Sequence, residues 1–183
     1  MKTIHLISLF LMTYLAVFMA GRMGELHDWV GAQPDFLPGL IVYCGLSTPL
    51  PVLVGMAVFG GLLFDALSAN PMGLTMVPLF VVGVITHWKR EVILRDQLYA
   101  QFFLGAAASA AVPIMSVLLL LGGGQKPLLG WGSLWQLTVL ALIGGALTPL
   151  WFRVFDRIQR AFGYAEIPDI AFRADREIKR GRN

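Results

Sequence analysis

The 183-residue sequence predicts an all-α, polytopic membrane protein folded as a bundle of six transmembrane helices. Composition is the first observation behind that prediction. Hydrophobic residues make up 57%, charged residues 14%, and mean hydropathy is +0.71, whereas a soluble domain carries roughly 25% charged residues. The second observation is where charge is missing: uncharged runs cover Thr3–Gly21, Phe36–Phe64, Ala66–Trp88, Gln97–Gln125 and Pro127–Phe152. An apolar helix needs roughly 20 residues to cross about 30 Å of hydrocarbon. The third is one carboxylate, Asp65, set between two of those runs. Ionising an acid at such depth costs roughly 2.5–3.5 kcal/mol on insertion scales, so it marks a functional-site candidate facing protein rather than lipid.

The first segment, near residues 4–21, follows Lys2 and ends with a poor small-x-small cleavage site at Phe18 and Ala20. It reads as a retained signal anchor. Phe36–Phe64 is too long for one ordinary crossing and is cut by Pro49 and Pro51. Those prolines predict a tight turn between segments near 35–48 and 50–67, arranged as a helix pair or a re-entrant hairpin. Further helices are expected near 72–89, 98–121 and 132–153, with an external glycine-rich turn over Gly122–Gly124.

Around Asp65, residue types point to a compact turn. Oxygens of Asp65 and Asn70 can satisfy amides freed at helix ends. Pro71 is suited to begin a helix and Gly73 to let the backbone pack closely. The same residues, together with Asp35, also suit a partner or ligand contact. Within the spans, Ala57/Gly61, Gly105/Ser109, Ala106/Ala110 and Gly144/Thr148 have small-x-x-x-small spacing, the pattern that lets helix backbones approach closely in lipid.

Orientation follows from the cations. With the N-terminus in the cytoplasm, Lys2, Lys89, Arg90, Arg95 and the eight cations from Arg153 to Arg182 lie inside, twelve of fourteen. Both termini are therefore expected in the cytoplasm. Residues 1–153 form the membrane domain and 154–183 a basic cytoplasmic tail. In the tail region Arg153, Arg157 and Arg160 share one helical face, while Val154, Phe155, Ile158 and Phe162 supply an apolar side, so this stretch reads as an amphipathic continuation of the last span. Such a helix attracts anionic lipid at about 1 kcal/mol per cation near the surface. Pro168 marks a break beyond it. From Arg153 onward, eight cations and five acids give a net +3, the charge of the whole chain, so the pI of about 9.3 reflects topology rather than nucleic-acid binding.

Several chemistries have no visible machinery. A single Cys44 in an apolar segment excludes an intramolecular disulfide and a cysteine cluster for zinc, and His5, His27 and His87 lack paired metal-ligand spacing. There is no Walker loop, dinucleotide fingerprint or Gly-x-Ser-x-Gly nucleophile site. No metal, cofactor or catalytic residue is expected.

The ordered combination of Asp35-Phe-Leu-Pro38, then Gly61-Leu-Leu-Phe-Asp65-Ala-Leu-Ser-Ala-Asn70-Pro71-Met-Gly73-Leu, then an apolar helix ending in Lys89-Arg90, resembles the rod-shape-determining MreD family. Its specific part is confined to residues 35–90; residues 98–152 match as hydropathy alone. The resemblance implies a non-catalytic scaffold subunit of the bacterial cell-elongation complex, which maintains cell shape and organises peptidoglycan synthesis in the inner membrane. Its partners would be an MreC-type bitopic scaffold, the MreB filament, and RodA with its penicillin-binding transpeptidase. The family is similar in fold to the six-helix substrate-binding components of energy-coupling-factor vitamin transporters. By that likeness Asp65, Asn70, Pro71 and Gly73 would form or border the external end of the bundle, with Asp35 on the same side. Two other classes stay open. A vitamin-type transporter subunit would show a polar, aromatic pocket near residues 22–35 and 122–131, with Trp29, Trp131 and Trp135 as candidates. An intramembrane enzyme would require several converging acids or a nucleophile-base pair.

Overall fold

With no water inside a bilayer, uncharged runs of this kind satisfy their backbone groups by forming helices. The computed structural model describes residues 3–22, 35–68, 71–91, 97–125 and 130–161. They form α1 (Thr3–Arg22), α2 (Leu37–Ser47), α3 (Leu50–Leu67), α4 (Met76–Trp88), α5 (Leu98–Gly122) and α6 (Trp131–Ala161). Three of these, α3, α5 and α6, are long and apolar enough to cross a membrane. By contrast α2 and α4, with 11 and 13 residues, rise only roughly 16 and 20 Å at about 1.5 Å per residue.

Short as it is, α2 is the centre of the bundle. Every residue from Leu37 to Leu46 is buried, and α1, α3, α4, α5 and α6 all pack on it. A helix apolar on all sides is buried either in lipid or in protein, and α2, at 11 residues too short to span the hydrocarbon straight across, is covered by protein on all sides. The expected turn after it is present. Thr48 donates to the Cys44 carbonyl from both its N–H (2.9 Å) and its Oγ1 (2.7 Å), which ends α2. Pro49 then accepts from Val52 and Leu53 at 3.1 and 3.2 Å, and Pro51 falls in the first turn of α3, where its missing N–H costs nothing.

Small residues set the closest contacts. Thr148 of α6 is fully buried and its Oγ1 donates to the Gly144 carbonyl at 2.7 Å. A Cβ on Gly39 of α2 would lie 2.7 Å from that oxygen, one on Gly105 of α5 would collide with it, and one on Gly144 would collide with Ser109. The Gly105/Ser109 and Gly144/Thr148 pairs thus face each other, and Ala106 meets Gly145 in the same seam. Elsewhere α5 is bare, with only 22% of its most apolar window buried. Phe103, Leu118 and Leu119 lie on its exposed surface, as suits a lipid-facing helix.

The last span continues past 153 as expected, and α6 runs unbroken to Ala161. Phe155 is fully buried and stacks on Tyr43 at 4.4 Å between ring centroids, with Phe152 edge-on to the same ring at 5.1 Å. Arg153, Arg157 and Arg160 are exposed, so the expected division into a basic face and an apolar side holds through the end of α6. Phe162, Pro168 and the rest of the tail lie outside the described residues.

Candidate functional site

Asp65 lies in the last turn of α3, 2% exposed. Its Oδ2 accepts the Gly73 N–H at 2.8 Å, and the Thr75 N–H reaches Oδ1 and Oδ2 at 3.2 and 3.1 Å. Thr75 occupies the N-cap position of α4 but provides no side-chain cap of its own. The acid of the preceding helix therefore caps α4, and its charge complements the positive end of that helix dipole. Between the two helices, the Leu74 N–H donates to the Pro71 carbonyl at 3.2 Å and Gly73 has φ +91°. This is a type II turn, whose third position calls for glycine.

One turn before Asp65, Gly61 makes the joint possible. A Cβ there would stand 2.5 Å from Met76 Cα and 2.8 Å from Met76 N, so a side chain would push the first residue of α4 off α3. Gly61, Asp65, Pro71 and Gly73 thus form one interlock between consecutive helices. Two expectations change. Pro71 does not begin a helix: α4 starts at Met76 because the turn runs through Thr75. The close approach belongs to Gly61, while Gly73 has open space at its Cβ position and is needed for its φ. Asn70 lies outside the described residues.

Asp35 precedes α2 by two residues, and its Oδ1 accepts the Leu37 N–H at 2.9 Å. Pro38 follows in the first turn, buried, where no donor is lost. Asp35 lines a cavity of about 250 Å³ together with Thr75 and Leu74 of the α3–α4 joint, Ser109 and Ser116 of α5, and Gln136 of α6. The two acids therefore gather at the same end of the short helices. Along α5 the cavity runs from Ser109, near the middle of the helix, to Leu120, close to its C-terminus. A second, apolar cleft of about 520 Å³ runs between α5 and α6 toward Leu121 and Leu134, and shares Pro113, Val117, Gln136 and Leu140 with the first.

Ser109, Thr75 and Gln136 were missed as cavity residues. Ser109 carries only a small-residue signal in the sequence, and the other two carry none. Trp131 and Trp135 are 89% and 62% exposed and line neither of these cavities, while Trp29 and most of the loops expected to form the aromatic pocket, 23–34 and 126–129, lie outside the described residues. Cys44 is a buried free thiol. His87 Nδ1 sits 3.1 Å from the Gly45 carbonyl, tying α4 to α2. The side chain of His5, and His27 altogether, fall outside the described residues. Among the described residues no group of three His, Cys, Asp or Glu is placed to hold a metal ion.

Fold and site together define an all-helical membrane protein whose deep carboxylate caps a helix junction. Comparison with family models, curated proteins and solved structures finds no match to this chain.

Proposed function

We propose that this chain is a non-catalytic membrane scaffold of the MreD type, a subunit of the bacterial cell-elongation complex that helps organise peptidoglycan synthesis. One observation carries the reading: the residues that give the sequence its MreD likeness, Gly61, Asp65, Pro71 and Gly73, build a single rigid joint in which both Asp65 oxygens receive backbone amides. An acid engaged in this way is a structural element rather than a free base for proton transfer. In this reading all six helices belong to an inner-membrane bundle with both termini in the cytoplasm, so the Asp35–Asp65 end faces outward. The exposed apolar surface of α5 suits a single-span partner of the MreC type. MreB and the RodA–transpeptidase pair would be reached through the same assembly, and Arg153, Arg157 and Arg160 would rest against anionic lipid.

Deleting the gene in a rod-shaped host should round the cells and lower recovery of an MreC-type partner with the elongation complex. Normal rods and an intact complex, with uptake of one vitamin lost instead, would replace this reading with a transporter substrate-binding subunit. The cavity beside Asp35 is the observation that favours that second reading.

A further inference from the structure

We infer that the outward face of α4 is a lipid-sorting surface, which holds a locally thin bilayer and favours short acyl chains. The inference rests on the membrane character of the fold and is independent of the scaffold role. Its first support is a stripe of fixed length. Val77, Phe80, Ile85 and Trp88 are exposed, with Val81 and Val84 half-buried beside them, while Leu79, Val82 and Thr86 on the opposite face are buried in the bundle. From Val77 to Trp88 the stripe rises roughly 17 Å at about 1.5 Å per residue. The exposed stripe of α5, from Phe103 through Ile114 and Leu118 to Leu121, rises roughly 27 Å, close to the about 30 Å of hydrocarbon in an ordinary bilayer. One molecule thus offers lipid two different thicknesses.

The second support is what bounds the α4 stripe. At its C-terminal end Lys89, Arg90 and Glu91 are exposed. At the other end stands the turn from Pro71 to Thr75, in which Pro71 and Met72 are exposed and the backbone is not helical. Irregular backbone facing lipid does not occur within the hydrocarbon, where no water completes its hydrogen bonds. A bilayer of ordinary thickness would therefore submerge one of the two ends. Lys89 and Arg90 can snorkel to the interface, which relieves their own end; the turn carries no long polar side chain. A helix too short for its bilayer is otherwise accommodated by thinning, and chains that are already short thin at the least cost. Trp88, 77% exposed at the boundary between the stripe and Lys89, suits the headgroup level at which tryptophan collects.

The test uses the full chain with Cys44→Ala and one attached fluorophore, carried at Ile85→Cys on the α4 stripe or at Ile114→Cys on α5, both exposed positions. Each is reconstituted in equal mixtures of dimyristoleoyl and dierucoyl phosphatidylcholine in which one lipid or the other is brominated, so that quenching reports which chains touch the label. At Ile85 the short lipid should be enriched at least about threefold over the long one, since a modest cost per ångström of mismatch accumulates over the shortfall. At Ile114 the ratio should stay near one. Spin labels at Val77→Cys, Val81→Cys and Ile85→Cys in dioleoyl phosphatidylcholine supply a second measurement: the ratio of collisions with oxygen to those with a nickel chelate should peak at Val81 and fall on both sides. Helical circular dichroism checks that each labelled chain is folded. Equal quenching by the two lipids at Ile85 would overturn the inference, as would the same short-chain preference at Ile114. A collision ratio climbing steadily toward one end would set α4 off centre in a bilayer of ordinary thickness, and quenching by neither lipid would place protein over the stripe; either result overturns it.

Discussion

Asp65→Ala removes the acceptor of two backbone amides at once. Thr75 is 4% exposed and Gly73 half-buried, so neither amide gains full access to water when the carboxylate goes. Leaving a buried donor unpaired costs about 1–3 kcal/mol, with the half-buried Gly73 at the lower end. Loss of a charge at a helix N-terminus adds about 0.3–1 kcal/mol. Hydrogen bonds between membrane helices average about 0.6 kcal/mol in double-mutant cycles, because the unfolded chain also finds partners in lipid; this sets a floor near 1 kcal/mol for the pair. The expected loss is therefore about 2–4 kcal/mol for Asp65→Ala and about half of that for Asp65→Asn, which keeps one oxygen. Reversible unfolding in mixed micelles by increasing SDS measures the total, and amide hydrogen exchange locates it. Exchange should accelerate at Gly73 and Thr75 and remain slow in the middle of α5. The reasoning is refuted if Asp65→Ala unfolds within about 0.5 kcal/mol of the unaltered protein, below the mutational floor, or if those two amides exchange at their original rate.

Two further changes test the joint and the orientation. Gly61→Ala places a Cβ against Met76 backbone that cannot rotate away, so a loss of about 1–3 kcal/mol is expected, and Gly61→Leu should reduce the monodisperse fraction on size exclusion; full retention of stability by both would show that α4 does not seat on α3 as described. With the buried Cys44 replaced, cysteines at Ser68 and Gln125 should react with an impermeant thiol reagent in intact cells while those at Arg95 and Arg173 stay unlabelled, and strong labelling at 173 would invert the cation-based orientation.

Legibility differed by the kind of information involved. Helix order and most boundaries could be read along the chain, because each depends on a local quantity: the length of an uncharged run, or a proline that removes a donor. The turn at Thr48-Pro49 and the onset of α5 at Leu98 fall where such reasoning places them. The start of α4 does not, since Pro71 suits both a helix N-terminus and the opening of a type II turn. Asp65 decided for the turn, from a helix that a local reading treats separately. The continuation past Arg153 was legible too: Arg153 ends the uncharged run, but cations on one face and apolar residues on the other carry the helix onward. What the spacing did not tell is that Phe152 and Phe155 pack on Tyr43 of α2.

By itself the sequence determined that the chain is helical and apolar, with the character of a membrane protein, and which small residues permit close packing. These follow from composition and spacing, which are properties of one dimension. That three of the described helices, rather than six, are long and apolar enough to cross a membrane came from the structure. Only the tertiary structure decided what each of those residues meets: Gly61 the backbone of Met76, Gly105 and Gly39 the same Thr148, and Asp65 two amides of the next helix. It also brought Asp35 to the same cavity as Thr75 of the α3–α4 joint and residues of α5 and α6. The physical reason is that α2 is apolar on every side, so no polar face in its sequence marks an outward direction, and its depth is set by the glycine and threonine contacts that hold it.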